Sequence, residues 1–107
     1  MSKPEQSHMP PQINDLDRLV HEPARLMILA NLFIVDSADF TFLMNQTGLT
    51  WGNLSSHLSK LEEGGYVHIE KSFVRKKPHT MVSLTEEGRA AFQNYRQQMQ
   101  PFIQGIQ

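Results

Sequence analysis

The five histidines are the residues whose type first suggests a metal site, and they are widely scattered: His8, His21, His57, His68 and His79. Zinc ligands usually come in closely spaced pairs, and no two of these histidines are close enough along the chain to form one. The chain contains no cysteine, which excludes a disulfide framework, a thiolate nucleophile and a thiolate metal site. We therefore expect neither a metal nor a cofactor.

Groups suited to acid–base or nucleophilic catalysis are present, but their spacing does not build an active site. Ser55, Ser56 and His57 are consecutive, and consecutive residues of a helix point in different directions. The pairs Glu62–Glu63 and Glu86–Glu87 lie at predicted helix ends, where capping and solvation account for them. The sequence therefore predicts a protein that is not an enzyme.

Basic side chains are concentrated in one short segment although the whole chain carries a net charge of −1. Residues 1–47 hold three basic and six acidic side chains, and residues 48–107 hold seven basic and five acidic ones. Lys71 and the run Arg75–Lys77 lie within seven positions. A local basic patch can attract a polyanion even in a nearly neutral chain, while the alternative is an ordinary solvated face.

The N-terminal part of the chain carries helical periodicity with clear interruptions. Residues 1–12 are polar and rich in proline, which predicts a flexible tail. Apolar residues then recur at steps of three and four through residues 13–20, which predicts a first helix. Pro23 suits the first turn of a second helix. Residues 36–38 form a break that can provide one short strand pairing.

Two short helices follow and are joined by a turn that contains glycine. Asp39 can cap a helix over residues 40–46, which ends where Gly48 can adopt a left-handed conformation. Thr50 can cap the next helix, which runs to residue 63 and is stopped by a double glycine. Two helices connected in this way form a helix-turn-helix.

The periodicity then changes to that of strands. Residues 66–73 and 80–84 are predicted strands, separated by a basic loop at 74–79 whose proline cannot continue a ladder. A final helix is predicted over about residues 85–106, kinked or broken late by Pro101. The element order predicts a mainly α protein with a small β-hairpin (α+β), a single winged helix-turn-helix domain from residue 13 to 107.

The predicted helix 50–63 has one apolar and one polar side. Leu54, Leu58 and Leu61 share the apolar side, and Trp51 is expected to pack near its edge. The polar face and its flanks comprise Thr50, Gly52, Asn53, Ser55, Ser56, His57, Ser59 and Lys60. Small polar side chains would let such a helix approach base edges in a major groove, where the Asn53 carboxamide can bond adenine in two places.

The basic loop is the second candidate surface for a nucleic acid. Its polar and charged residues are Arg75, Lys76, Lys77 and His79. Cations at a hairpin tip can lie along the sugar–phosphate backbone or enter a minor groove. Such contacts contribute affinity and salt dependence rather than sequence preference.

Three stretches of the sequence resemble known regulators. "HEPARLMILANL" is similar to the second-helix signature of winged helix-turn-helix regulators. "GLTWGNLSSHLSKLEEGGYVHIEKSF", followed by "TMVSLTEEGRAAF", resembles the single-domain MarR-like and ArsR-like transcriptional regulators. The resemblance covers about residues 16–95 and implies a dimeric transcription factor that binds double-stranded DNA. It also implies that Thr50 to Lys60 enter the major groove and that Arg75 to His79 form the wing. It does not extend to thiolate metal sensing, because the chain lacks cysteine.

A homodimer is also expected from an apolar stripe on the terminal helices, which is longer than one small core needs. The predicted interface comprises Ile13, Leu16, Leu19, Phe92, Tyr95, Met99, Phe102 and Ile106. The alternative is that the stripe folds back on its own domain.

Other functions remain open at this stage. The net acidity and the single cation on the polar face of helix 50–63 leave room for a winged helix that binds protein instead of DNA. A third hypothesis is a sensor whose small-molecule effector sits in a cavity lined by Phe33, Phe40 and Phe42, although core packing is the simpler role for these rings. No apolar run is long enough to cross a membrane and the polar start lacks a signal-peptide core, so we expect a cytoplasmic protein.

Overall fold

The computed structural model describes residues 16–105, which form four helices and three strands. In chain order these are α1 (Pro23–Val35), β1 (Ser37–Asp39), α2 (Phe40–Thr47), α3 (Trp51–Glu63), β2 (Val67–Val74), β3 (Lys77–Leu84) and α4 (Glu86–Gln104). This is the predicted α+β winged-helix architecture. The predicted tail at residues 1–12 lies outside the described residues.

Side-chain caps fix where the helices begin. Thr50 and Thr85 accept hydrogen bonds from the backbone N–H groups three residues ahead, as Asp39 does at the start of α2. Each satisfies a donor that has no partner inside the helix. Pro23 occupies the first turn of α1 after the capping residue Glu22, and Gly48 ends α2 in the left-handed conformation with φ 72°. The predicted helix starts from Pro23 onward are confirmed.

The described part of the predicted first helix is not helical. Residues 16–22 form turns and bends. The Asp17 carboxylate accepts hydrogen bonds from the backbone N–H groups of Leu19 and Val20, at 2.9 and 3.3 Å. A side chain that bonds nearby amides in this way competes with the helical pattern, which explains why periodicity alone was misleading here. Val20 is nonetheless fully buried.

The three strands form one antiparallel sheet in the order β1-β3-β2. The short strand β1 pairs with residues 81–83 of β3, so the predicted strand pairing after α1 exists. The β2–β3 hairpin pairs Val67 with Leu84 at its base and Val74 with Lys77 at its tip.

The hairpin tip is much tighter than the predicted loop at 74–79. Only Arg75 and Lys76 form the turn, and both have positive φ, 54° and 66°, as a two-residue type I′ hairpin requires. Pro78 lies inside β3, opposite Phe73, so the expectation that it interrupts the ladder is wrong. In a hairpin of this type the pair next to the turn exchanges hydrogen bonds and the following pair does not. Pro78 therefore sits where a missing N–H costs little.

The core lies between the helices and one face of the sheet. Its fully buried side chains come mainly from α1, α3 and the middle of β3: Val20, Ile28, Leu29, Leu32, Leu43, Leu54, Leu58, Leu61 and Val82. The last helix continues through Pro101 to Gln104, so no break occurs at the proline. Packing against this core fixes the orientation of α3 and of the hairpin, and with it the side of each that faces solvent.

Candidate nucleic-acid interface

The helix α3 separates its leucines from its polar residues as predicted. Leu54, Leu58 and Leu61 are buried. Besides Trp51, the exposed residues at the start and middle of the helix are Thr50, Gly52, Asn53, Ser56, Ser59 and Lys60, while Ser55 and His57 are half-buried. The acidic residues Glu62 and Glu63 are exposed at its end. The hydroxyl of Thr50 accepts from the N–H of Asn53 at 3.2 Å. The first turn of α3 is thus held in place while its polar face stays free.

His57 faces α1 and takes part in a local polar network. Its Nδ1 lies 3.2 Å from Nη1 of Arg25 and 3.9 Å from Oε1 of Glu22. A guanidinium only donates, so His57 Nδ1 is the acceptor in the contact with Arg25. Arg25 also donates from Nε to the carbonyl of Leu19 at 2.7 Å. These contacts join α3 to α1 and to the turn that precedes it.

The capping carboxylate of this network is held ionised. Burial raises the pKa of Glu22, but hydrogen bonds from the backbone N–H groups of Arg25 and Ala24, together with the charge of Arg25, outweigh it. The net effect is a pKa below the ordinary value for a glutamate. An ionised Glu22 caps α1 more strongly, because it sits at the positive end of the helix dipole.

Trp51, the first residue of α3, is only partly packed. Its ring lies 5.7 Å from the ring of Phe40 and is tilted by 49°, yet 65% of the residue is exposed. The sequence predicted packing at the helix start, which the contact with Phe40 provides. The pattern did not predict that most of the indole would remain in water.

The hairpin β2–β3, the wing of the fold, stands beside α3. Arg75, Lys76 and Lys77 are exposed at its tip, and His79 is half-buried. A groove of about 850 Å³ separates the wing from α3. Its walls include Trp51, Ser55, Ser59, Lys71 and His79. The structure thus brings residues from both predicted surfaces to one groove.

One residue of the wing tip was missed by the sequence analysis. Phe73 is 76% exposed, next to the basic turn. Its alternation with Ile69 and Lys71 places it on the strand face that borders the groove. The strand pattern of residues 66–73 does not indicate that the aromatic side chain at its end extends beyond the core.

The residues of the predicted dimer interface divide into three groups. Leu16, Phe92 and Tyr95 are buried within the protomer, and the Tyr95 hydroxyl lies 2.7 Å from Nδ1 of His21. Their burial is thus already satisfied without a partner. Half-exposed positions are Leu19, Met99 and Phe102, whereas Ile13 and Ile106 lie outside the described residues.

A second cavity of about 610 Å³ lies between α1 and α4. It is lined by Leu26 from α1 and mainly by Phe92, Tyr95, Arg96, Met99 and Ile103 from α4. The three phenylalanines proposed for an effector cavity do not line it: Phe33 packs against Phe92 at 5.1 Å, Phe40 borders the groove beside the wing, and Phe42 is on the exposed side of α2.

The described residues form neither a cluster of metal ligands nor a membrane-spanning helix. Between residues 16 and 105, no three His, Asp or Glu side chains come together in a way that could hold a metal ion. None of the helices in this range is both long and apolar enough to cross a bilayer. The polar surface of α3 and the basic wing therefore form the best candidate for a binding site, and their chemistry suits a nucleic acid.

Comparison with known proteins also indicates a DNA-binding domain. The winged helix DNA-binding domain model matches residues 24–103. The chain is 38% identical over 78 residues to an uncharacterized protein of Methanocaldococcus jannaschii. The aligned region covers 73% of this chain and 85% of that protein.

Two solved structures show the fold relationship. A transcriptional regulator homologue from Pyrococcus horikoshii OT3 superimposes with a TM-score of 0.77 at 29% identity, covering 84% of this chain and 89% of that one. A MarR-family transcriptional regulator from Silicibacter pomeroyi has a TM-score of 0.61 at 26% identity, covering 83% and 62%. The chain therefore belongs to the winged helix DNA-binding domain family, with the fold of MarR-family transcriptional regulators and not of an enzyme.

Proposed function

We propose that this protein is a cytoplasmic, sequence-specific transcriptional regulator that binds a pseudo-palindromic operator as a homodimer. The observation that carries the proposal is the exposed polar face of α3 beside a wing with three consecutive cations. In this hypothesis α3 enters the major groove and acts as the recognition helix, with Asn53, Ser56 and Lys60 near bases or phosphates. Arg75, Lys76 and Lys77 bind the sugar–phosphate backbone or the minor groove.

The homodimer supplies the second recognition helix. Met99, Phe102 and Ile103 leave apolar surface on the last turns of α4, and burial of that surface against a second copy would place two α3 helices on one face of the duplex. Two-fold symmetry then requires half-sites about one helical turn apart.

Selection from a randomised duplex library at moderate salt tests this proposal. We expect the purified protein to enrich a pseudo-palindrome with half-sites about one turn apart. Retention without a motif would contradict sequence-specific binding and leave a non-specific DNA binder. No retention would favour the alternative, a winged helix that docks its basic wing on an acidic protein.

An effector would bind in the cavity between α1 and α4, whose walls share Met99 and Ile103 with the proposed dimer surface. This cavity has apolar walls and Arg96 among its lining residues, a combination that suits a small organic anion. A thermal-shift screen of small organic anions tests the idea, with Leu26→Trp as the variant that fills the cavity. A compound that stabilises the wild type and Leu26→Trp equally would bind outside this cavity.

A further inference from the structure

Trp51 is the one tryptophan of the chain, and its exposure is unexplained by packing within the protomer. Phe40 contacts one side of the indole, and 65% of the residue remains accessible. The next residue, Gly52, has open space where a side chain would begin. Among residues 16–105, nothing covers the free side of the ring, so a large apolar surface stays exposed at the start of α3.

The position of this ring determines what it would meet if α3 enters DNA. In helix-turn-helix complexes the N-terminal residues of the recognition helix contact the base edges in the major groove. Those edges carry hydrogen-bond donors and acceptors, and their largest apolar group is the C5-methyl of thymine. The indole would bury most of its free surface there against such a methyl group.

We propose that Trp51 is a specificity residue that packs on the C5-methyl group of a thymine in each half-site. The inference rests on the proposed function and adds to it a base preference that hydrogen bonding by Asn53 would not provide. The open position at Gly52 contributes by letting the first turn of α3 approach the bases closely.

Uracil substitution tests the contact, because deoxyuridine differs from thymidine only by this methyl group. Each thymine of the selected operator is replaced in turn by deoxyuridine, and affinities are measured for the wild type, Trp51→Gln and Trp51→Leu. We expect one position per half-site at which the wild type loses about fourfold in affinity, the effect of one buried methyl. Trp51→Gln should lose that sensitivity, and Trp51→Leu should keep part of it.

Phe73→Ala is the matched control, since it removes another largely exposed aromatic ring, in this case from the wing. The minor groove presents no thymine methyl, so this variant should discriminate thymine from uracil as the wild type does. Thermal unfolding of each variant shows whether it is folded.

The fluorescence of the single tryptophan gives a second readout. On binding the selected operator, the emission of Trp51 should shift to shorter wavelength and become less accessible to acrylamide. Unchanged emission, a wild type that is insensitive at every thymine, or full sensitivity in Trp51→Gln would each overturn the inference while leaving the proposed function intact. Failure of the wild type to enrich any motif would instead contradict the proposed function.

Discussion

Asn53 and Lys76 are both exposed, but they lie on different parts of the proposed interface. Asn53 is on the first turn of α3, where a carboxamide can distinguish adenine, whereas Lys76 is at the wing turn, where it would meet phosphate. We expect Asn53→Ala to weaken binding to the operator by about 1–3 kcal/mol with little change on random DNA. Lys76→Ala should weaken binding to both and reduce the salt slope by about one unit. Titrations on both duplexes at several salt concentrations check this, and equal losses for Asn53→Ala would remove it from the base-contacting residues.

Tyr66 gives the fold an alkaline limit. Burial, the hydrogen bond that its hydroxyl donates to Asp17, and the charges of Asp17 and Glu87 raise its pKa to about 12. The neutral phenol is therefore favoured by folding, and its stabilising contribution is complete below the unfolded pKa of about 10. That contribution should be lost as the pH rises from about 10 to about 12. Urea midpoints across this range should fall less steeply for Tyr66→Phe, and parallel curves would refute the linkage.

At the scale of the helices, we expect alanine substitutions at two glycines to change the stability of the protein in opposite directions. A side chain at Gly52 would meet open space, whereas one at Gly88 would overlap the carbonyl oxygen of Tyr66. Gly52→Ala should stabilise the protein by up to about 1 kcal/mol, because glycine disfavours a helix, and yet weaken operator binding by obstructing close approach. Gly88→Ala should cost about 2 kcal/mol through overpacking. Denaturation and binding measurements on both variants separate the effects, and unchanged affinity in Gly52→Ala would show that this position does not face DNA.

The wing turn is a second element whose stability and proposed function should conflict. Arg75 and Lys76 both have positive φ, which costs a residue with a side chain roughly 1–2 kcal/mol. The double variant Arg75→Asn/Lys76→Gly has the preferred residues of a type I′ turn. We expect it to unfold at higher temperature and to bind DNA more weakly with a smaller salt slope. A variant with higher stability and unchanged affinity would show that the strained cations have no role in binding.

At the scale of the whole molecule, the last turns of α4 decide whether two chains associate. Ile103 is 58% exposed, so Ile103→Asp should leave the protomer folded while placing a charge in the proposed dimer interface. We expect this variant to be a monomer with reduced operator affinity. Asn94→Asp is the control, since it lies nine residues earlier, on the opposite face of the same helix. Sedimentation measures both, and a dimeric Ile103→Asp would mean that the copies associate elsewhere.

The sequence alone determined the features that depend on local interactions. The helix starts at Pro23, after Asp39, after Thr50 and after Thr85 follow from capping and periodicity within a few residues. The leucine face of α3 follows from the same helical spacing. These signals predicted the element order after Pro23, and with it the winged-helix fold.

Only the tertiary structure decided which surfaces remain free. The continuation of β3 through Pro78 and the burial of Phe92 and Tyr95 depend on strand register and helix packing. The exposure of Trp51 has the same origin: the amphipathic pattern assigns it to the edge of the apolar face, but the core ends before it reaches that turn. Whether a residue is covered depends on distant parts of the chain, which local spacing does not encode.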